Sequence, residues 1–174
     1  FTNPSGLHEE ELYTTTRDLF LISQKAIENK LIKKIIGTTT YTLPSTNKYT
    51  KDARIFTTTN YMIRESLTKY YCDYCIGAKT GYTTEAKNCV VEFAQKDGIE
   101  LTAIVMGEGA KVKGQKFLDA KEMFEYVFKH YENEQVATKD EKYETIKIGN
   151  GTKETRDLDV LYKTNVNVLT AKDS

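Results

Sequence analysis

One short run, Gly77 to Thr83, brings together residue types that a binding or catalytic site needs. Lys79 carries a positive charge and Thr80 a hydroxyl group, and Gly81 allows close approach to the backbone because glycine has no Cβ atom. A Lys-Thr-Gly triplet alone is weak, since three common residues recur by chance in many chains. Its meaning therefore depends on the elements that position it.

The segments around the triplet predict three strands. Residues 71–83 are rich in β-favouring tyrosines, and the apolar runs Cys89–Ala94 and Leu101–Met106 follow. The dipeptide Asp97-Gly98 between these runs is typical of a hairpin turn. We therefore expect a strand that carries the triplet, followed by a hairpin of two further strands.

Helical patterns lie on both sides of these strands. Thr15 and Asp18 have the spacing of a helix cap, for a helix that ends at Glu28 or Asn29. A shorter apolar patch at 31–36 ends at a glycine, and an extended piece is expected near 39–43. After the strands, apolar residues recur at helical spacing and predict a helix that packs on the sheet: Phe117, Ala120, Phe124, Val127, Phe128 and Tyr131.

Composition excludes several classes of function. The 174 residues carry 25 basic and 25 acidic side chains, so no global field attracts nucleic acid or an anionic membrane. The two histidines, His8 and His130, support neither a His-based triad nor a His-rich metal site. We expect no metal and no cofactor. No run of about 20 apolar residues predicts a transmembrane helix.

The three cysteines, Cys72, Cys75 and Cys89, are predicted to be packing thiols. A single Cys-x-x-Cys pair is a weak sign of zinc, and this pair does not open a helix as a thioredoxin-like site would. An occasional disulfide between these two neighbours stays open. A hairpin centred near Glu85 would pair Cys89 with about Gly81, which argues against a structural disulfide to Cys89.

In this setting the triplet resembles the third motif of the serine acyl-enzymes that handle penicillin and peptidoglycan stem peptides, after Ser-x-x-Lys and Ser-x-Asn. The chain is similar to D-alanyl-D-alanine carboxypeptidases, the low-molecular-mass penicillin-binding proteins. The similarity covers roughly residues 1–132 and is weak beyond them. It is carried by Phe1–Leu7, the helix from about Thr14, Asn60, the triplet, the paired strands and the ending Val105-Met106-Gly107.

The resemblance implies a mechanism. A serine would be acylated by the D-Ala-D-Ala end of a stem peptide, the terminal D-alanine would leave, and water would release the acyl group. Penicillins and other β-lactam antibiotics would mimic the acyl donor. Lys79 would position and polarise the substrate, Thr80 would hydrogen-bond its terminal carboxylate, and the backbone N–H of Tyr82 would be one of two oxyanion donors. Gly81 and the strand edge up to Thr83 would lie against the substrate.

The family's nucleophile motif lies well upstream of the triplet, and this chain begins with Phe1, inside the family pattern. We therefore expect the catalytic serine to be absent here and to belong to an N-terminal segment of the same domain. Ser45 and Ser66 each begin a local Ser-x-x-Lys match. Pro44 predicts a turn rather than a helix N-terminus, and Ser66 lies too near the triplet in sequence, so both are predicted to be surface residues.

A second departure concerns the arginine that family members commonly place after the Met-Gly strand end, where it binds the substrate carboxylate. Residues 107–116 contain no arginine, and Gln115 occupies that position. Lys111, Lys113 and Lys116 lie nearby as alternative point charges.

These patterns predict an α/β (α+β) fold of the β-lactamase/transpeptidase-like type, with an antiparallel sheet packed with helices and incomplete on its N-terminal side. Residues 1–132 would be the C-terminal part of the penicillin-binding domain, 133–142 a polar linker, and 143–174 the start of a β-rich second domain. Strands are expected at 143–148 and 166–169. By resemblance the parent protein would be exported and act outside the bacterial membrane, at the cell wall.

Two other functions stay open. The chain could be a catalytically silent module that binds peptidoglycan peptides, which needs only the strand edge and a carboxylate contact. A β-lactamase or a related acyltransferase shares the triplet but is disfavoured, because the tyrosine after the glycine and the β-domain tail are more similar to carboxypeptidases.

Overall fold

Two short helices come first, and side-chain caps explain where each begins. In the computed structural model, α1 spans Thr16–Ile27 and α2 spans Lys30–Ile36. The Thr15 hydroxyl accepts a hydrogen bond from the backbone N–H of Asp18 at 3.1 Å, which confirms the predicted cap. Asn29 caps α2 in the same way. Both helices therefore form where the sequence predicted them.

The structure describes residues 1–48, 53–109, 112–152 and 156–172. Contacts divide the chain into a larger unit, residues 1–96 and 100–127, and a smaller unit, residues 97–99 and 128–174. Among the helices of the described residues, none is long and apolar enough to cross a membrane.

The larger unit contains five strands: β1 (Thr40–Leu43), β2 (Arg54–Thr57), β3 (Cys75–Thr83), β4 (Lys87–Lys96) and β5 (Ile99–Glu108). β1 and β2 form an antiparallel ribbon. β3, β4 and β5 form a sheet in that order, so the triplet strand lies at one edge. The predicted strand and hairpin around the triplet are confirmed.

The turn between β4 and β5 and the register between β3 and β4 also agree with the predictions from the sequence. Asp97 and Gly98 join β4 to β5, and both have positive φ angles, 51° and 77°, as a type I′ hairpin requires. β3 pairs antiparallel with β4, with Gly81 opposite Cys89 as predicted. All three cysteines are free thiols.

Helices pack closely on this sheet. Gly77 of β3 has φ +150°, and a Cβ atom there would lie 2.7 Å from Cγ1 of Ile36 at the end of α2. After β5, α3 spans Gln115–His130. Its residues Phe117, Ala120 and Phe124 are fully or almost fully buried. The predicted aromatic row is therefore a core-packing face, and the mixed antiparallel α/β class is confirmed.

The smaller unit contains four strands: β6 (Tyr131–Ala137), β7 (Lys142–Lys147), β8 (Asp157–Leu161) and β9 (Val166–Ala171). β6 pairs with β9 and β7 with β8, both antiparallel. Residues 133–137 of the predicted linker at 133–142 form most of β6. That strand is exposed along most of its length, so it has no apolar alternation, and its distant partner β9 holds it. The division into two domains with these boundaries stays a prediction.

Candidate functional site

The triplet lies on a free strand edge in the larger unit. Within the described residues β3 has β4 on one side and no strand on the other. Gly77 and Ala78 are buried, whereas Lys79, Gly81 and Tyr82 are exposed. The free edge therefore presents backbone N–H and C=O groups to which an extended peptide can add as a further strand.

A groove runs beside this edge. Thr80, Gly81 and Tyr82 line one wall, together with Asn88 of β4. The groove is completed by the last residue of β2, by residues that follow it and by the region where α3 begins: Thr57, Thr58, Thr59, Tyr61, Arg64, Lys113, Gly114, Lys116 and Phe117. The fold therefore brings two distant segments, 57–64 and 113–117, next to the triplet strand.

The Thr80 hydroxyl is held in place by a second hydroxyl. Its Oγ1 lies 2.7 Å from Oγ1 of Thr59, and either group can donate the hydrogen bond. Each hydroxyl retains further hydrogen-bonding capacity for a bound ligand. Lys79 is exposed, and its Nζ donates to the backbone carbonyl oxygen of Thr80. The charge and the hydroxyl predicted as site groups therefore lie within one residue of each other at the edge.

Gly81 is a glycine that the fold does not need. A Cβ atom built at Gly81 meets no atom within 4 Å, and its φ angle is outside the left-handed region. The missing side chain leaves open space beside the strand instead of relieving a clash. This is the geometry that close approach of a ligand to the backbone requires.

The two residues after the triplet differ in their surroundings. The Tyr82 side chain is 68% exposed at the groove wall. The Thr83 hydroxyl accepts a hydrogen bond of 2.9 Å from the backbone N–H of Ala86, in the turn that leads to β4. The Thr83 side chain is therefore engaged in its own turn.

Gln115 lies at the first position of α3. Its side-chain amide donates to the Asp119 carboxylate at 2.7 Å along the helix, and it does not line the groove. Lys113 and Lys116 do line it. Lys111 lies outside the described residues.

Lys116 is a buried cation at the floor of the groove. It is 8% exposed, and its Nζ lies 5.5 Å from the centre of the Phe117 ring. Burial lowers the pKa of Lys116, and the positive charge of Lys79 lowers it further, while Cys89 and Glu108 act in the opposite direction. The site therefore contains a positive charge with little water around it, which an anionic ligand group would stabilise.

Arg64 is a groove residue that sequence reasoning missed. It follows an irregular stretch without apolar periodicity, so no pattern marks it. Tyr61, which also lines the groove, belongs to an aromatic cluster: the ring centroids of Tyr61 and Phe117 are 4.9 Å apart, and those of Tyr61 and Tyr70 are 5.3 Å apart. Thr59 was missed for the same reason, because only the folded chain places it against Thr80.

Asn60, marked in the sequence by resemblance alone, is buried beneath the groove. Its amide donates to the Glu92 carboxylate at 2.8 Å, and its oxygen accepts from the backbone N–H of Met62 at 2.9 Å. Glu92 is completely buried, and burial raises its pKa well above the ordinary value, against a smaller opposite effect of the Asn60 hydrogen bond. These contacts give Asn60 a structural role, as a support for the segment that contains Thr59 and Tyr61.

The two serines with a local Ser-x-x-Lys match are both exposed. Ser45 follows β1 in a segment without helix, and Ser66 lies in a turn. The helices of the described residues begin at Thr16, Lys30 and Gln115, none of them at a serine. The described residues also contain no cluster of three or more His, Cys, Asp or Glu side chains that could hold a metal ion.

Comparison with known proteins identifies the family. The model of the D-alanyl-D-alanine carboxypeptidase family matches residues 1–110. The chain is 28% identical over 152 residues to D-alanyl-D-alanine carboxypeptidase DacF of Bacillus subtilis, covering 87% of this chain and 36% of that protein.

Solved structures share the fold. Penicillin binding protein 5 of Haemophilus influenzae matches with a TM-score of 0.75 and 18% identity, over 99% of this chain and 46% of that one. The D-alanyl-D-alanine carboxypeptidase of Mycobacterium tuberculosis H37Rv matches with a TM-score of 0.56 and 27% identity, over 74% of this chain and 46% of that one. The chain spans about a third of the length of the curated relative and under half of these two structures. With the family model matched over more than half of its residues, the chain belongs to the D-alanyl-D-alanine carboxypeptidase family.

Proposed function

We propose that this chain is part of a serine-type carboxypeptidase that removes the terminal D-alanine from peptidoglycan stem peptides through an acyl-enzyme. The observation that carries the proposal is the free edge of β3, which presents the triplet to a groove with cationic side chains. Family membership supports the reaction type. The reaction would take place on the outer side of the bacterial membrane, where peptidoglycan lies.

Each residue at the edge has a proposed role. The stem peptide would add to β3 as an extended strand. Lys79 would orient the substrate and polarise the hydroxyl groups that carry protons. The Thr80 hydroxyl, held by Thr59 at 2.7 Å, would donate to the substrate carboxylate. Gly81 would let the peptide approach the backbone, and the backbone N–H of Tyr82 would stabilise the oxyanion, a contribution that is often worth about 10²- to 10³-fold in rate. Thr83 would extend the same binding edge.

We also propose that the cations of this groove bind the terminal carboxylate of the substrate. Gln115 is the expected contact by its position in sequence, but its amide is engaged with Asp119. Arg64 and Lys116 line the groove itself, and a guanidinium group binds a carboxylate in a bidentate manner. Arg64→Gln should weaken substrate binding more than Gln115→Ala does. The opposite ranking of KM values would favour Gln115.

The nucleophile is proposed to lie in an N-terminal segment of the same domain. β5 forms the other edge of the sheet, with no further strand beside it in the described part of the chain. Strands from that segment would complete the sheet at this edge, and its serine would then face the groove. Penicillins and other β-lactams would acylate the same serine.

The test is labelling with a fluorescent penicillin, followed by denaturing gel electrophoresis. The chain is labelled alone, and again in a protein that carries the N-terminal segment. We expect no label on the chain alone and covalent label on the longer protein. The double variant Ser45→Ala, Ser66→Ala of the longer protein is the matched control and should be labelled as strongly as the unmodified protein.

Release of D-alanine from a stem pentapeptide completes the test. Label on the chain alone, lost in the Ser45→Ala variant or the Ser66→Ala variant, would overturn the upstream nucleophile. A longer protein that is folded but takes no label and releases no D-alanine would support a silent binding module instead. Penicillin hydrolysis faster than D-alanine release would support a β-lactamase.

A further inference from the structure

Two thiols lie side by side where the site strand begins, and the proposed function makes no use of them. The Sγ atoms of Cys72 and Cys75 are 2.9 Å apart, and both thiols are free. We propose that this pair is a modification site at which a reversible disulfide forms, with a small-molecule or protein disulfide as the oxidant.

The backbone between the two residues already has the shape that such a disulfide needs. The N–H of Cys75 donates to the carbonyl oxygen of Cys72 at 3.2 Å, which closes a β-turn. The ends of a β-turn lie less than about 7 Å apart, and the Cα atoms of disulfides usually lie about 4.4–6.8 Å apart. The two sulfurs need to approach by only about 0.9 Å to reach the bonded distance of about 2.0 Å.

The turn is held from outside by backbone hydrogen bonds. The N–H of Cys72 donates to the carbonyl oxygen of Met62 at 2.9 Å, and the N–H of Gln95 donates to the carbonyl oxygen of Tyr74 at 2.9 Å. Both partners belong to the larger unit, and Met62 is completely buried in its core. The thiols are therefore kept together by the fold, and their closeness does not depend on a chance encounter of a flexible loop.

The thiols of Cys72 and Cys75 differ in pKa and in exposure to solvent. The pKa of the Cys72 thiol is lowered, mainly by the hydrogen bond from the Cys75 thiol and further by Tyr74. The pKa of Cys75 is raised, mainly by its hydrogen bond to Cys72 and then by burial. Cys72 is 4% exposed whereas Cys75 is partly exposed, so an external disulfide reaches the Cys75 sulfur first, and Cys72 is the resolving sulfur.

The exchange balances with a disulfide R–S–S–R as the oxidant. The Cys75 sulfur loses its proton, attacks one sulfur of R–S–S–R, forms a mixed disulfide and expels the first R–S⁻, which takes up the proton that Cys75 released. The Cys72 thiolate, once its proton has left, attacks the Cys75 sulfur and expels the second R–S⁻, which takes up that proton. The two cysteines are oxidised by two electrons, and R–S–S–R is reduced to two R–SH.

The product would close a covalent ring at the head of β3, four residues before Lys79. Exported proteins live in an oxidising compartment, where disulfides persist. The proposal does not depend on carboxypeptidase activity, because its test measures directly whether the two thiols are reduced or oxidised.

The experiment equilibrates the folded full chain with buffers of increasing ratio of oxidised to reduced glutathione, with EDTA present. Free thiols are then alkylated with iodoacetamide, and the masses of the tryptic peptides are measured by mass spectrometry. Cleavage after lysine places Cys72 and Cys75 together in peptide 70–79 and Cys89 alone in peptide 88–96. We expect peptide 70–79 to escape alkylation and to lose two hydrogen atoms, while peptide 88–96 stays alkylated.

Two comparisons test whether the cross-link is specific to Cys72 and Cys75 and whether the folded structure favours it. A Cys89→Ser variant should form the same cross-link, and a Cys75→Ser variant should form none. The unmodified chain should cross-link at an oxidised-to-reduced glutathione ratio at least tenfold lower when folded than in denaturing urea. Equal or higher ratios for the folded chain would overturn the proposal. So would protection of both thiols by added zinc, without EDTA and without the loss of hydrogen, because that result would assign the pair to a metal.

Discussion

Two glycines of β3 should respond in opposite ways to the same substitution. Gly77 has φ +150°, and an added Cβ would lie 2.7 Å from Cγ1 of Ile36 and 2.9 Å from its carbonyl carbon. Backbone strain of this kind costs roughly 1–3 kcal/mol, and overpacking costs roughly 1–3 kcal/mol more. Gly77→Ala should therefore lower the free energy of unfolding by about 2–6 kcal/mol.

At Gly81 substitution by alanine should not lower the free energy of unfolding. An added Cβ meets open space there, so the alanine is accommodated without strain. Alanine also loses less backbone entropy on folding than glycine does, a gain of roughly 0.5–1 kcal/mol. We therefore expect Gly81→Ala to leave the free energy of unfolding unchanged or to raise it by that amount. Its methyl group would occupy the groove beside the backbone, so penicillin acylation of the longer protein should fall by about 10²-fold.

The assay is urea denaturation followed by circular dichroism for both variants, with fluorescent penicillin labelling rates measured in parallel. Gly77→Ala is the control for general disruption, because its loss of labelling should follow its loss of folded protein. The reasoning would be refuted if Gly81→Ala unfolds at a lower urea concentration than the unmodified protein. It would equally be refuted if a folded Gly81→Ala protein is acylated at the normal rate.

Three further substitutions test the groove and the layer beneath it. Because the folded state holds the proton of Glu92 above the ordinary pKa of 4.5 while the unfolded state releases it, stability should fall as pH rises above about 4.5, by up to about 1.4 kcal/mol per pH unit. In urea denaturation at several pH values, Glu92→Gln should remove this decline and exposed Glu100→Gln should retain it; a decline that survives in Glu92→Gln would assign it to another group. Lys116→Met should leave the urea midpoint unchanged or raise it, since a buried charge is removed, but it should slow penicillin acylation by about 10- to 10²-fold. The control Lys129→Met, at an exposed lysine, should change neither the urea midpoint nor the acylation rate. Normal acylation in Lys116→Met would exclude the lysine from the site. Thr59→Val breaks the hydroxyl pair with Thr80 and should slow acylation by about fivefold while Thr59→Ser retains it, and equal rates for the two variants would contradict a role for that hydrogen bond.

Local chemistry made much of the larger unit predictable. The Thr15 cap, the Asp97-Gly98 turn and the register that sets Gly81 opposite Cys89 each depend on a few adjacent residues. The aromatic row of α3 was predictable because a helix that packs on one side repeats its apolar residues at a fixed spacing. In each case the signal lies within one turn, one hairpin or one helix.

Long-range pairing made the rest unpredictable. β6 has no alternation because its side chains are exposed on both faces over most of its length, and only pairing with β9 shows it to be a strand. Arg64 and Thr59 reach the groove from an irregular stretch whose path depends on the buried contact of Asn60 with Glu92. A carboxylate on β4 that supports a distant loop leaves no pattern in a single sequence.

The two halves of β3 differ in their roles: the first half packs against the rest of the fold, and the second half is exposed to a ligand. The first half, up to Ala78, is packed: Gly77 meets α2, and the Cys72–Cys75 turn leads into it. The second half, from Lys79, is mostly exposed, and its side chains support little else in the described structure. Substitutions before Lys79 therefore change folding first and reach the site only through the loss of folded protein. Substitutions from Lys79 onward change the groove while the sheet remains, so a loss of acylation there at unchanged stability measures the contribution of the site itself.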